Sequence, residues 1–292
     1  MKIAVVIPCY RVTKHILAVL EKIPQSVQAV YCVDDCCPDN SSELIKTECK
    51  DKRVNVLRHV MNQGVGGAMI TGYEQALNDG ADIIVKLDGD GQMDPALIDI
   101  FTAPIINGDC DYTKGNRFYN VDDVRKMPGI RLFGNAMLSF MTKLSSGYWQ
   151  LFDPTNGYTA IHANILHNIP LNKLDKRYFF ETDILFRLNL IRAKIQDVPM
   201  KAVYEDEESN LKIKDIIVPF IFKHLRNICK RIIYTYFLRD FNVASIELFL
   251  SLPLMIFGII FGLSSWIYSG TQGVTASAGT VMLSALPIII GV

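Results

Sequence analysis

Four short apolar runs, Ile3–Ile7, Val27–Val33, Val54–Leu57 and Ile83–Leu87, punctuate the first ninety or so residues, with helix-length segments between them. Runs this short and this apolar are strands buried on both faces. Between them, Lys14–Ile23 and Ser41–Cys49 have helical spacing, and the Gly-rich turn Asn62–Gly67 opens a helix to about Asn78. Pro95 suits the first turn of another helix, to about Ile106. This alternation predicts an α/β fold: a Rossmann-like, mostly parallel sheet with helices on both faces. In such sheets ligands bind beyond the carboxyl ends of the strands. Pro8, Asp34, Asp35 and Asp88 stand at those ends, so residues far apart in sequence are expected to converge. The middle, Asp111–Tyr204, is less regular. It holds the turn-rich FDPTNGYT at Phe152–Thr159, a helix-like stretch from Glu181 to about Arg192, and a last strand ended by Val198 and Pro199.

After residue 211 the character changes. Lys212–Asp240 carries seven basic residues against Asp215 and Asp240, with Phe220, Ile221, Leu225, Ile228 and Ile232 at mostly helical spacing. A basic amphipathic helix ahead of a hydrophobic span reads as a membrane-surface element; a solvated helix docked on the domain is the alternative. Leu248–Ile267 is free of charge and long enough to cross a hydrocarbon core of about 30 Å. Ser269–Gly273 reads as a turn, and Val274–Val292 as a second, truncated span. The expected organisation is a catalytic domain at 1–211, juxtamembrane helices at 212–243 and two transmembrane segments at 244–292. The basic run places the large domain on the cytoplasmic side of the cell (inner) membrane.

The chain has 30 basic and 30 acidic residues, so net charge names no partner, and no nucleic acid is expected. The odd number of cysteines, seven, and the strand-like start at Ile3 fit reduced cytosolic thiols. Cys32, Cys36 and Cys37 have no matching His or Cys pair at zinc-finger spacing.

Chemistry concentrates in LDGDGQMDP at Leu87–Pro95. Two carboxylates one residue apart at a strand end make a compact anionic pocket, and Gly89 and Gly91 let the backbone turn tightly. Asp88, Asp90 and the Gln92 carbonyl are hard oxygen donors suited to Mg2+ or Mn2+ shared with a diphosphate. A plain acidic turn is the alternative. In VDDCCPDNSS at Val33–Ser42, a strand-end Asp can accept from a nucleobase or ribose. The turn at Asn62–Gly67 could cradle phosphate or simply permit close backbone packing.

VVIPCYR, VDDCCPDNSS, NQGVGGAMITGYEQAL, LDGDGQMDP, GNR and DPTNGYT occur in the order found in family 2 glycosyltransferases of the GT-A fold. Over Met1–Leu211 the chain resembles the branch of dolichyl-phosphate mannose synthases and bacterial polyprenyl-phosphate glycosyltransferases. The resemblance implies that Pro8, Tyr10 and Asp35, with Asp34 beside it, hold the nucleoside of a GDP- or UDP-linked donor. It implies that Asp88, Asp90 and Gln92 hold metal and diphosphate. Arg117 matches an arginine near the phosphates, Arg131 and Asn135 match a pair that meets the lipid phosphate, and Asp183 matches an acid near the sugar. Arg11, Asn135 and Thr159 stand where the family often has Asn, Ser and Arg, and Tyr204 and Asn210 where the mannose synthases have Arg and Lys.

The expected reaction is inverting, metal-dependent transfer of a sugar from a nucleotide-diphosphate sugar to a polyprenyl (undecaprenyl or dolichyl) phosphate, a step of cell-envelope glycan synthesis. Arg117 and Arg131 would orient phosphates by charge-assisted hydrogen bonds. Two alternatives are a glycosyltransferase acting on a sugar hydroxyl of a lipid-linked glycan, with Asp183 or Glu181 as base, and a non-catalytic nucleotide-sugar-binding membrane protein. Self-association into a homo-oligomer is left open.

Overall fold

The computed structural model describes residues 1–119, 129–201 and 213–292. The chain divides into two units, Met1–Arg231 and Ile232–Val292.

The first unit is built on strands β1 (Ile3–Cys9), β2 (Val27–Asp34), β3 (Val54–Arg58), β4 (Ile83–Lys86), β5 (Tyr112–Asn116), β6 (Thr159–His162) and β7 (Ile195–Pro199). They form one sheet in the order β3-β2-β1-β4-β6-β5-β7. Every strand runs the same way except β6, which is antiparallel to both neighbours. Helices α1 (Ile16–Glu21), α2 (Ser41–Glu48), α3 (Val65–Asn78), α4 (Ile98–Ile106), α5 (Gly129–Ser146), α6 (Ala163–His167), α7 (Phe180–Leu190) and α8 (Ile213–Ile233) connect or follow the strands. A 3-10 turn at Pro95–Leu97 leads into α4, with Asp94 capping it by accepting from the Ala96 N–H.

The period-2 pattern of the strands sorts the core into two layers. On one face Ala4, Val6, Tyr31, Val33, Ile84, Tyr112 and Ile161 pack against Met69 and Tyr73 of α3 and Ile184, Leu185 and Leu188 of α7. On the other Val5, Ile7, Val30, Cys32, Ile83, Val85 and Ala160 pack against Ile16, Val19 and Leu20 of α1 and Ile98, Phe101 and Ile105 of α4. The alternation of strand and helix thus gives the expected two-faced, mostly parallel sheet. The sequence reading left β5, β6 and α5 unassigned. β1 and β2 also extend past their apolar runs, to Cys9 and Asp34.

The reversed direction of β6 decides which loop borders the acidic turn. Thr159 at its start pairs with Lys86 at the end of β4. The loop Asp153–Tyr158 therefore arrives at the same sheet edge as that turn.

Helix α8 packs within the first unit, although its sequence opens the segment expected to be juxtamembrane. His224 and Asn227 are buried. Asn227 Nδ2 donates to Asp183 Oδ1 at 3.3 Å, and Lys223 Nζ pairs with Asp175 at 2.5 Å. His224 Nδ1 meets Ser145 Oγ of α5 at 2.9 Å, and its ring lies edge-on to Phe179. Burial brings the His224 imidazole down to about 4, so it is neutral near pH 7. The opposite side of α8 leaves Val218, Ile221, Phe222 and Leu225 exposed. Among its described side chains, α8 thus turns His224, Asn227 and Phe220 toward the first unit and leaves an apolar row exposed beside Arg226 and Lys230.

In the second unit, a π-helical turn at Tyr234–Arg239 precedes α9 (Val243–Gln272) and α10 (Ala278–Gly291). Among the described residues α9 is the one helix long and apolar enough to cross a membrane, with a mean hydropathy of 2.3 over its best window. It starts at a capping box between Asn242 and Ser245 and ends at Gly273, which takes a φ of 63°. The 14 residues of α10 span only about 21 Å, short of a full crossing. The two helices meet through small residues. A Cβ on Gly258 would lie 2.7 Å from both the Ser284 carbonyl and Ile288.

Candidate active site

The carboxyl ends of β1, β2, β4 and β5 and the start of β6 bring the expected residues to one edge. Tyr10 follows β1 and is 45% exposed, and the Arg11 guanidinium lies 5.5 Å from its ring centroid. Asp34 and Asp35 are both buried and both used to build loops. Asp34 accepts from the backbone N–H groups of Cys37 (2.7 Å) and Ser42 (3.2 Å). Asp35 accepts from the N–H groups of Gln63 and Gly64, each at 2.7 Å, and pairs with His59 Nδ1 at 2.8 Å. Its carboxylate therefore occupies the anion-favouring start of α3. The glycines of that turn serve close packing: a Cβ on Gly64 or Gly66 would run into the backbone of Asp175 and Lys176.

The acidic turn sits at the switch point, where β4 returns on the far side of β1 from β2. Asp90 Oδ1 accepts the Gln92 N–H at 3.0 Å, and Gly91 takes a φ of 83° that closes the turn. Asp88 Oδ1 accepts from Lys86 Nζ at 2.8 Å. Both acids are partly exposed. Among the described residues no three His, Cys, Asp or Glu side chains gather as a ligand set. Two partly exposed carboxylates on a tight turn fit a hard divalent cation whose remaining ligands come from water or a bound diphosphate. A cation held there would have an open shell, not a closed protein cage.

Beneath this turn lie two lysines that the sequence reading passed over. Lys86 is 2% exposed and pairs with Asp88 and, at 3.3 Å, with Glu181 of α7. Burial pulls its ammonium down, but the charges of Asp88 and then Glu181 outweigh this and leave Lys86 above the ordinary lysine range. Lys114 of β5 is fully buried and donates to the Asn156 carbonyl. Burial dominates there and brings it down to about 8.

Arg117 extends from β5 and forks onto Asp153, with Nε 2.7 Å from Oδ2 and Nη2 3.1 Å from Oδ1. The fully buried Asp153 thereby anchors the loop that carries Asn156 and Gly157. A Cβ on Gly157 would lie 2.6 Å from both Asp88 Oδ2 and Lys86 Nζ, so only glycine lets this loop close over the pair. Asn135 lies in α5 and is partly exposed. Arg131 lies in the same helix; its side chain, like Tyr204 and Asn210, is outside the described residues.

Asp183, expected near the sugar, sits on α7 against Asp175, Arg187 and Asn227. It is fully buried and accepts from the Asp175 N–H (3.1 Å), Arg187 (3.2 Å) and Asn227. Glu181, two residues earlier, is the acid of α7 that reaches Asp88 through Lys86. The signal for Lys86 was present in the sequence as a lysine ending an otherwise apolar strand next to two aspartates. Its second partner, ninety-five residues later, was not.

A two-faced, mostly parallel sheet with an acidic turn at its switch point defines a GT-A-type fold. Glucosyl-3-phosphoglycerate synthase of Mycobacterium tuberculosis, solved with Mn2+, UDP and phosphoglyceric acid, shares it with a TM-score of 0.57, 16% identity and coverage of 79% of this chain and 78% of that one. Residues 4–169 match Glycosyl transferase family 2, and the chain belongs to that family; it is a glycosyltransferase. A Methanococcus voltae relative, UDP-N-acetylglucosamine–dolichyl-phosphate N-acetylglucosaminyltransferase, is 31% identical over 218 residues, 70% of this chain and 86% of its own. The undecaprenyl-phosphate mannosyltransferase of Micrococcus luteus is 30% identical over 212 residues, 70% of this chain and 84% of its own.

Proposed function

We propose that this glycosyltransferase moves a sugar from a UDP- or GDP-linked donor to a polyprenyl phosphate at the cytoplasmic face of a membrane, with inversion and with Mg2+ or Mn2+. The observation that carries the lipid acceptor is the exposed face of helix α8. His224 and Asn227 are turned to the catalytic unit, and Val218, Ile221, Phe222 and Leu225 face outward with Arg226 and Lys230 exposed among them. That combination suits the boundary of an anionic bilayer. Helix α5, joined to α8 through Ser145 and His224, adds the exposed row Phe133, Met137 and Phe140. The names of the M. voltae and M. luteus relatives support the same acceptor class. The Mn2+ and UDP of the mycobacterial enzyme support the cofactor and the donor class. The basic segment before α9 supports a cytoplasmic catalytic unit.

In this reading a phosphate oxygen of the acceptor attacks the anomeric carbon from the face opposite the diphosphate. The new C–O bond forms as the bond to the diphosphate breaks, and that electron pair leaves with the nucleotide. A bound divalent cation would neutralise charge on the leaving diphosphate, held by Asp88 and Asp90 with Gln92 at the turn. Pro8 and the exposed Tyr10 flank the nucleoside, while Asp34 and Asp35 shape the loops around it. Arg117 fixes Asp153 and its loop beside the phosphates, and Arg131 and Asn135 meet the acceptor. The acceptor phosphate is anionic near pH 7 and needs no base.

Transfer to a sugar hydroxyl is the second reading, favoured by Glu181 sharing the Lys86 ammonium with Asp88; there Glu181, not Asp183, would serve as base. Purified protein with Mn2+, a panel of nucleotide-sugars and undecaprenyl phosphate should yield a sugar-phosphate-lipid detectable by mass spectrometry. Absence of that product with every donor would sink the leading reading.

A further inference from the structure

The last residue of β4 is a charge placed where the strand pattern calls for an apolar side chain. Lys86 shares its face with Ile84, inside the layer that α3 and α7 cover, and is 2% exposed. A lone ammonium in such a place is costly. Here it touches two carboxylates from opposite directions, Asp88 of the acidic turn at 2.8 Å and Glu181 of α7 at 3.3 Å.

We propose that Lys86 is a positioning residue: its buried ammonium holds one oxygen of Asp88 so that the other is presented to the divalent cation, and it keeps Glu181 out of that cation's ligand set. This role rests on the metal-dependent reading of the site.

Three observations carry it. Lys86 engages Asp88 through Oδ1, while Oδ2 is the atom that Gly157 approaches from the loop side. The carboxylate is thus gripped from below through Oδ1, while its side chain stays 28% exposed. Next, Glu181 is the acid that would otherwise compete. Without the ammonium, Asp88 and Glu181 would be two carboxylates in a low-solvent space, where like charges separate or share a proton. Either outcome turns Asp88 away or recruits Glu181 to the metal. Finally, Lys114, the neighbouring buried lysine, meets the Asn156 carbonyl and not Asp88 or Asp90. Burial alone therefore does not create this grip; it requires the two acids around Lys86. Outer partners of this kind are known to tune metal affinity as strongly as 10–100-fold in other sites.

The test is a Mn2+ titration followed by electron paramagnetic resonance, on the full chain in detergent, with UDP and with GDP. Lys86→Met should weaken Mn2+ binding roughly tenfold or more while nucleotide binding without metal stays as in the wild type. Adding Glu181→Gln to Lys86→Met should recover part of the loss, because the unbalanced carboxylate is gone. Gly157→Ala keeps every charge yet presses on both Nζ and Oδ2. It should weaken Mn2+ in the same direction, and it carries the test if Lys86→Met fails to give a cooperative melt. A folded Lys86→Met protein, or a folded Gly157→Ala protein, with wild-type or tighter Mn2+ affinity would overturn the proposal. Wild-type protein that binds no Mn2+ with either nucleotide would overturn the metal reading and this inference with it.

Discussion

At the scale of single residues, the site is held by charges that solvent does not see. At Lys114 burial outweighs the neighbouring acids. The folded-state pKa of this lysine, about 8, lies below the ordinary lysine value of 10.5. Between those values the unfolded chain holds a proton that the folded chain has released. Stability therefore rises with pH across that window, and the penalty is fully present below about pH 8. The shift corresponds to roughly 3 kcal/mol. Denaturant melts of the catalytic unit within the full chain should show stability climbing from pH 8 toward pH 10. Lys114→Met should be more stable than the wild type at pH 7.5 and lose that slope; an unchanged slope would contradict the assignment. Residues such as Lys114 and Asp153 were illegible in the sequence for one reason: a charged side chain reads as surface until its partners are known. Asp153 and Arg117 meet only because β6 runs backwards, and Glu181 meets Lys86 only because α7 packs on that face. Asp88 and Asp90 were legible because a strand end and two glycines confine them locally.

At the scale of elements, β1 to β4 could be placed from their apolar runs because a strand buried on both faces has no polar alternation to obscure it. β5, with the sequence Tyr-Thr-Lys-Gly-Asn, and the four-residue β6 carry no such signal. Their identity comes from the pairing they complete. Helix α8 carried a clear amphipathic signal, but its orientation could not be read. Apolar spacing identifies a face, not what that face meets, and here His224, Asn227 and Phe220 meet protein while an apolar row stays exposed. That orientation has a kinetic outcome. Phe222→Asp and Leu225→Asp, both on exposed positions, should raise KM for undecaprenyl phosphate about tenfold, a change near 1.4 kcal/mol. They should leave KM for the nucleotide-sugar alone and leave a short water-soluble isoprenyl phosphate unaffected. Equal effects on long and short acceptors would argue against a lipid-facing role.

At the scale of the whole molecule, the two units answer different questions. The first carries the family match and the site; the second carries the one helix among the described residues that is long and apolar enough to span a bilayer. All seven cysteines are free thiols, and Cys36, in the loop after β2, is exposed. A membrane-impermeant maleimide should label Cys36 in inside-out vesicles and not in intact cells, with the modified peptide read by mass spectrometry. Labelling from the outside of intact cells would reverse the proposed orientation. Composition marks the apolar end of the chain, because charge nearly vanishes after Ala244. The boundary between the units was less legible. It falls at Arg231, near the end of a helix whose composition suits either a membrane surface or docking on the domain.

That boundary decides how a gene for this protein can be shortened. A polypeptide stopping before Ile213 would lose the side chains that cover Phe179 and that meet Asp183 and Ser145, leaving buried polar atoms unanswered within an otherwise finished core. One stopping after Arg231 keeps those partners but carries Val218, Ile221, Phe222 and Leu225 into water, where they will find one another. A soluble version of the catalytic unit therefore has to retain α8 and repaint its outward face with polar residues, and crystallographers and assay builders alike would begin from that edit.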